Sequence, residues 1–380
     1  MEDKVVVAIN CITGQAEAIC FANGIVENII EKQDTKSEIL TGPGLIDLQI
    51  NGINGIDFNT PFVSVNDIIN ACHCLLSEGV TTFFPTVITN SDENILEIVH
   101  TIQQACLSSS LVNECVGGIH LEGPFISPVE GARGAHDKKY IKAPDWDLFS
   151  QFQKAAGGKI KIVTIAPEWE DSTSFIEQCR AHGILVSIGH SMARSEHIKD
   201  AVRAGATMST HLGNGVPLSL PRHPNLIWDQ LAADELYACI IADGIHIPDS
   251  FIKVVIKTKL NATIVVSDAT CFAGMPPGEY ERPVGGAVRV DEEKRVSLKN
   301  SPRLLGGAAK SLLENVETLI GHNLATLRKA WQMASTNVSD MLAKNEHAVN
   351  QNNDRVFFQL IGNKIHVMST IKNGRIVYGK

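Results

Sequence analysis

The feature that most constrains this chain is a run of eight strand-like segments, each followed by a helical pattern. They are Leu45–Ile50, Thr81–Val87, Val116–Leu121, Ile160–Ala166, Leu185–Ile188, Met208–His211, Tyr237–Ile241 and Ile264–Ser267. The intervening patterns, among them Ser64–Glu78, Asp92–Leu107, Ser195–Ala204 and Asp249–Lys259, carry apolar residues at helical spacing. Strict alternation of this kind calls for a parallel sheet, and eight such units fit a (β/α)8 barrel of the TIM type. A doubly wound open sheet is the runner-up. It would carry a glycine-rich phosphate loop after its first strand, where this chain has Asp47-Leu48-Gln49-Ile50-Asn51-Gly52.

The ends of the chain read differently. Val5–Ile9, Ala16–Phe21 and Ile25–Ile30, with an Asn23-Gly24 turn, resemble a meander, and Val356–Leu360, Ile365–Met368 and Arg375–Tyr378 mirror them. We therefore expect residues 1–43 and 345–380 to form one small β-sandwich domain, with the barrel over 44–344. Between them, Val284–Leu298 reads as a hairpin, Ala308–Ile320 as a helix and Asn350–Asn353 as a polar loop.

In such barrels the chemistry collects at the carboxyl ends of the strands. Gly117–Phe125, Gly-Gly-Ile-His-Leu-Glu-Gly-Pro-Phe, delivers Glu122 to a strand end and stops at a Gly-Pro turn. The same positions elsewhere hold Asp47, Gln49 and Asn51, then His190, His211, Asp243 with His246, and Asp268. Taken singly, each is a hydrogen-bonded strand-end residue. Together, one carboxylate and two imidazoles (Glu122, His190, His211) make a three-ligand metal site with an open position. Asp268 across the mouth is placed to act as general base, then acid. Gln49 and Asn51 are amides, poor metal ligands beside imidazole.

Composition excludes some partners. The chain has 33 Lys+Arg against 42 Asp+Glu, a formal charge of −9, which disfavours nucleic acid. No apolar run reaches the length of a membrane span, and the acidic start, Met1-Glu2-Asp3-Lys4, lacks the pattern of a signal peptide. Nine cysteines without CxxC pairs fit reduced thiols in a cytoplasmic protein. Cys72-His73-Cys74 falls inside a helical pattern, where i and i+2 do not share a face, so buried thiols are expected there.

Several motifs together resemble the N-acetylglucosamine-6-phosphate deacetylases of the amidohydrolase superfamily. They are Pro43-Gly44-Leu45-Ile46-Asp47, His120-Leu121-Glu122-Gly123-Pro124, Gly189-His190-Ser191, Thr210-His211-Leu212, Asp243-Gly244-Ile245-His246 and Ser267-Asp268-Ala269, in order over residues 43–270. The resemblance implies hydrolysis of an acetamide to acetate and a free amine, with one divalent ion per subunit, zinc or alternatively iron. It implies that His136, closing a Gly-Ala-His run, polarises the scissile carbonyl. It also implies a homodimer in which Arg222 reaches the partner's site and, with His246, holds the substrate phosphate. Asn214 and the Gly215 backbone would contact the sugar. Here Asn214-Gly215-Val216 and Pro221–Asn225 depart from the family's usual text, which leaves open another, unphosphorylated N-acetyl amino sugar. Two rival readings stay beside it: a different amidohydrolase, such as an N-acyl-amino-acid deacylase or cyclic-amide hydrolase, and a non-catalytic barrel.

Overall fold

The structure, a computed structural model, describes residues 4–33, 36–282, 286–299, 301–349 and 353–379. The acidic start at 1–3, residues 284 and 285 of the expected hairpin and 350–352 of the expected polar loop lie outside them. Eight parallel strands form the barrel: β1 (Leu45–Ile50), β2 (Val80–Ile88), β3 (Ile119–Glu122), β4 (Ile160–Ile165), β5 (Leu185–Ile188), β6 (Met208–Ser209), β7 (Tyr237–Ile241) and β8 (Thr263–Val266). They neighbour one another in chain order. The seam closes where the Asp268 N–H donates to the Gln49 carbonyl (2.8 Å) and the Asn51 N–H to the Ala269 carbonyl (2.7 Å).

Local sequence explains the helices that wrap this barrel. Val65–Ser77 begins at a capping box, with Ser64 accepting from the Asp67 N–H and the Asp67 side chain returning the bond. Its apolar stripe, Ile68, Ala71, Cys72, Leu75 and Leu76, is buried against the strands. Cys72 is thus a packing residue, and all nine cysteines are free. Asp92–Ser108 is capped by Ser91 and buries Ile95, Ile98, Val99 and Ile102 in the same manner. No helix among the described residues is long and apolar enough to cross a membrane.

The strands of both termini join in one seven-stranded sheet. It closes on itself when Lys4–Asn10 pairs in parallel with Leu40–Pro43. Ala8, Ile19, Phe21, Phe357 and Ile371 fill its interior, so closure supplies the core that two facing sheets would. Leu40–Pro43 is a strand the sequence pattern did not announce, because Gly42 and Pro43 read as a boundary. Gly42 is needed there: a Cβ would stand 2.6 Å from the Trp331 indole nitrogen. Trp331 stacks on Phe358 (4.5 Å between centroids) and donates to the Pro43 carbonyl, tying this sheet to the barrel. A buried Lys372–Asp354 pair (2.8 Å), with Lys372 also reaching Thr82 of β2, adds a second tie.

One region differs from expectation. In place of a lone hairpin there are four antiparallel strands, Gly278–Arg282, Gly286–Val290, Arg295–Leu298 and Ser301–Ala308. The expected helix at Ala308 starts later, at Leu312, after an N-cap at Ser311. The last of these strands bridges to Ala269 and brings Leu305, Gly306 and Gly307 to the barrel mouth.

Candidate metal and active site

At the carboxyl ends of the barrel strands lies a cavity of about 240 Å³. Its lining includes Glu122, His136, His190, His211, His246 and Asp268. Glu122 ends β3, and His190 and His211 follow β5 and β6. Glu122 Oε1 is 3.2 Å from His190 Nε2 and 3.1 Å from His211 Nε2, and the two Nε2 atoms are 3.0 Å apart. Three ligands at about 2.0–2.1 Å from a tetrahedral ion would stand about 3.3 Å from each other, close to this triangle. All three side chains are buried.

Their surroundings fix their orientation. His190 Nδ1 lies 2.9 Å from the Ala132 carbonyl, which can only accept, so Nδ1 carries a proton and Nε2 is the atom left free to face Glu122 or to offer a lone pair to a metal. Among the described residues, His211 Nδ1 has no such partner. His190, His211 and Asp268 all have left-handed backbones, with φ of 48°, 28° and 47°. Non-glycine residues avoid that region unless the surroundings impose it, at about 1–3 kcal/mol each. Gly215 packs against the pair: a Cβ on it would lie 2.8 Å from His190 Nδ1 and 3.1 Å from His211 Cε1.

The electrostatics ask for positive charge between these groups. Burial alone would push the Glu122 carboxyl up, but hydrogen bonds from His190 and His211 hold it well below its usual range. Burial opposes a charged His211, yet the bond to Glu122 raises it. A buried carboxylate facing two imidazole nitrogens therefore draws a cation, and the donor set suits a borderline divalent ion. His136 extends the cluster, with a ligand atom of Glu122, His136 and His190 each lying within 4.8 Å of the others. Its Nδ1 is taken by Thr89 Oγ1 at 2.8 Å. Burial first, and His190 second, push His136 down to about 3, so it is neutral.

Asp268 sits opposite, and burial followed by the charge of Glu122 raises it to about 6. Gln49 joins the two carboxylates, its Nε2 donating to Glu122 Oε1 (2.9 Å) and Asp268 Oδ1 (3.1 Å). Asn51 Nδ2 donates to the same Asp268 oxygen at 2.7 Å. These amides thus bond the two acids. Asn214 lines the cavity while its Nδ2 donates to the His211 carbonyl (3.3 Å). His246 also lines it, its Nδ1 held 2.6 Å from Asp243 Oδ2. Arg222 is the exception: it is exposed in the loop before the helix Leu226–Ala232 and does not reach the cavity of its own chain.

Sequence reasoning missed Asp57, Asn59, Thr270 and the 305–307 segment in the lining. Asn59 had a weak signal, its place in the segment between the first strand and the helix Val65–Ser77. Leu305 to Gly307 had none, because 35 residues or more separate them from the nearest motif.

Three comparisons bear on this geometry. Residues 41–348 match the amidohydrolase family. An N-acetylglucosamine-6-phosphate deacetylase of Bacillus subtilis is 35% identical over 271 residues, 70% of this chain and 67% of that one. The mouse protein of the same name is 30% identical over 359 residues, 92% of this chain and 85% of the relative. Among solved structures, the N-acetylglucosamine-6-phosphate deacetylase of Pasteurella multocida superposes with a TM-score of 0.83 at 26% identity, covering 97% of each chain.

Proposed function

The chain belongs to the amidohydrolase family and, within it, to the N-acetylglucosamine-6-phosphate deacetylases, and on that premise we propose how its own residues carry the reaction. The reaction is hydrolysis of the acetamide of N-acetylglucosamine 6-phosphate to the amine and acetate. Glu122, His190 and His211 hold one divalent ion, zinc or else iron. That ion supplies Lewis-acid activation of water and polarisation of a carbonyl oxygen. The single observation that carries the assignment is the triangle of 3.0–3.2 Å between Glu122 Oε1 and the two histidine Nε2 atoms, with Asp268 linked to it through Gln49.

Asp268 takes a proton from the attacking water and returns it to the amine nitrogen as the C–N bond breaks. Its raised position, about 6, leaves it ionised at neutral pH yet basic enough to accept that proton. In the neutral tautomer whose Nδ1 accepts from the Thr89 hydroxyl, His136 keeps its proton on Nε2 and hydrogen-bonds through it to the acetyl oxygen. Asn214 and the Gly215 backbone touch the sugar. Gln49 and Asn51 occupy the position of a second metal and keep the centre mononuclear.

The cavity lining contains histidines but, among the described residues, no lysine or arginine. A phosphate there needs a further cation, and the exposed Arg222 supplies it to a neighbouring subunit in a homodimer, beside His246. The same lack of a basic residue favours a second reading, an unphosphorylated N-acetyl amino sugar. The enzyme works in the cytoplasm in amino-sugar breakdown, with residues 44–344 as catalytic barrel and 1–43 with 345–380 as the β domain. The test is acetate release by the metal-loaded protein from N-acetylglucosamine 6-phosphate. Asp268→Asn should lower kcat by about 10²–10⁴-fold, and a rate near wild type would remove Asp268 from the mechanism.

A further inference from the structure

We propose that Asn59 is a positioning residue which, through Asn51, decides which oxygen of Asp268 moves the proton; this rests on the reading of Asp268 as the base. Two backbone groups of β2 have a polarity that leaves no choice. The Ile88 N–H can only donate, and it meets Asn59 Oδ1 at 2.8 Å. The Thr86 carbonyl can only accept, and it meets Asn59 Nδ2 at 3.0 Å. The carboxamide of Asn59 therefore has one orientation.

That orientation is passed on. Asn59 Nδ2 also faces Asn51 Oδ1, at 3.4 Å, which turns the Asn51 amide nitrogen towards Asp268. Asn51 Nδ2 then donates to Asp268 Oδ1 at 2.7 Å and to the Asp268 carbonyl at 3.4 Å. Gln49 adds its Nε2 to the same Oδ1 at 3.1 Å, and two carboxylate acceptors fix its amide in turn. Oδ1 thus carries two N–H donors while Oδ2 carries neither. Donors that stabilise charge on one oxygen leave the other as the site of protonation. Asn51 and Asn59 are both buried, at the wall of the cavity. The turn that holds Asn59 is itself closed by its N–H donating to Asp57 Oδ1 at 2.9 Å.

The test measures kcat, KM and metal per subunit for Asn59→Leu, Asn51→Leu and the double variant, on N-acetylglucosamine 6-phosphate. Asn59→Asp serves as a second variant that keeps the shape and the acceptor for the Ile88 N–H. We expect each single variant to lose at least tenfold in kcat with KM and metal content held, and the double variant to be no slower than Asn51→Leu alone, within twofold. Losses that multiply, an unchanged kcat, or a loss that accompanies released metal or a raised KM would overturn the proposal. Asp268→Asn in the same assay separates the two levels. If Asp268→Asn stays active, the underlying reading fails; if it is inactive while the Asn59 variants turn over normally, only this inference fails.

Discussion

Gly215→Ala probes whether the two histidines are held by packing. An added Cβ would stand 2.8 Å from His190 Nδ1, 3.0 Å from its Cε1 and 3.1 Å from His211 Cε1. Ordinary carbon contacts begin at about 3.5 Å, so both rings must move by about 0.5 Å. The ring nitrogen under pressure is the one that donates to Ala132, so the bond that fixes the tautomer of His190 is lost as well. Disturbing the groups behind metal-ligating histidines typically weakens the metal by about 10–100-fold, or about 1.4–2.8 kcal/mol. Alanine at φ +58° adds about 1–2 kcal/mol of backbone strain, which is common to any such glycine. Gly158→Ala isolates that part, since its φ is +79° and nothing lies within 4 Å of its Cβ. Metal affinity by chelator competition, with denaturant stability alongside, gives the comparison. Both variants should lose similar backbone stability, and only Gly215→Ala should lose metal. If Gly215→Ala binds metal and turns over like wild type, the packing argument is wrong.

Three more outcomes are expected. Asp268 must be ionised to accept a proton and is raised to about 6 by burial and Glu122, so kcat/KM should fall about tenfold per pH unit below about 6; a profile flat down to pH of about 5 would count against it. Arg222→Ala should cost on the order of 2–5 kcal/mol in kcat/KM on the phosphorylated sugar and nothing on the unphosphorylated one, and equal effects on both would remove the phosphate contact. Lys372→Met leaves Asp354 buried without its ion-pair partner, and urea unfolding should show a loss of about 3–5 kcal/mol.

The barrel was legible because each strand is a short apolar run bounded by turns and each helix shows its buried stripe. Ile68, Ala71, Cys72 and Leu75 repeat at helical spacing and are all inside. The site was legible for a related reason: strand ends place Glu122, His190, His211 and Asp268 together whatever the loops do. What escaped depends on long-range contact. Ser301–Ala308 contains a proline and two glycines and is a strand only because Arg295–Leu298 pairs with it. The left-handed backbones of His190, His211 and Asp268 have no local signature, because tertiary bonds impose them. Asn59 is an ordinary turn asparagine until β2 is folded beside it.

In the proposed centre a single ion is held by Glu122, His190 and His211, with Asp268 beside it. Metal titration of chelator-treated protein, followed by acetate release from N-acetylglucosamine 6-phosphate, tests it most directly. Activity should return in proportion to added divalent metal and saturate at one equivalent per subunit, and His211→Ala should abolish that binding. Full activity without metal, or saturation only at two equivalents, would contradict it.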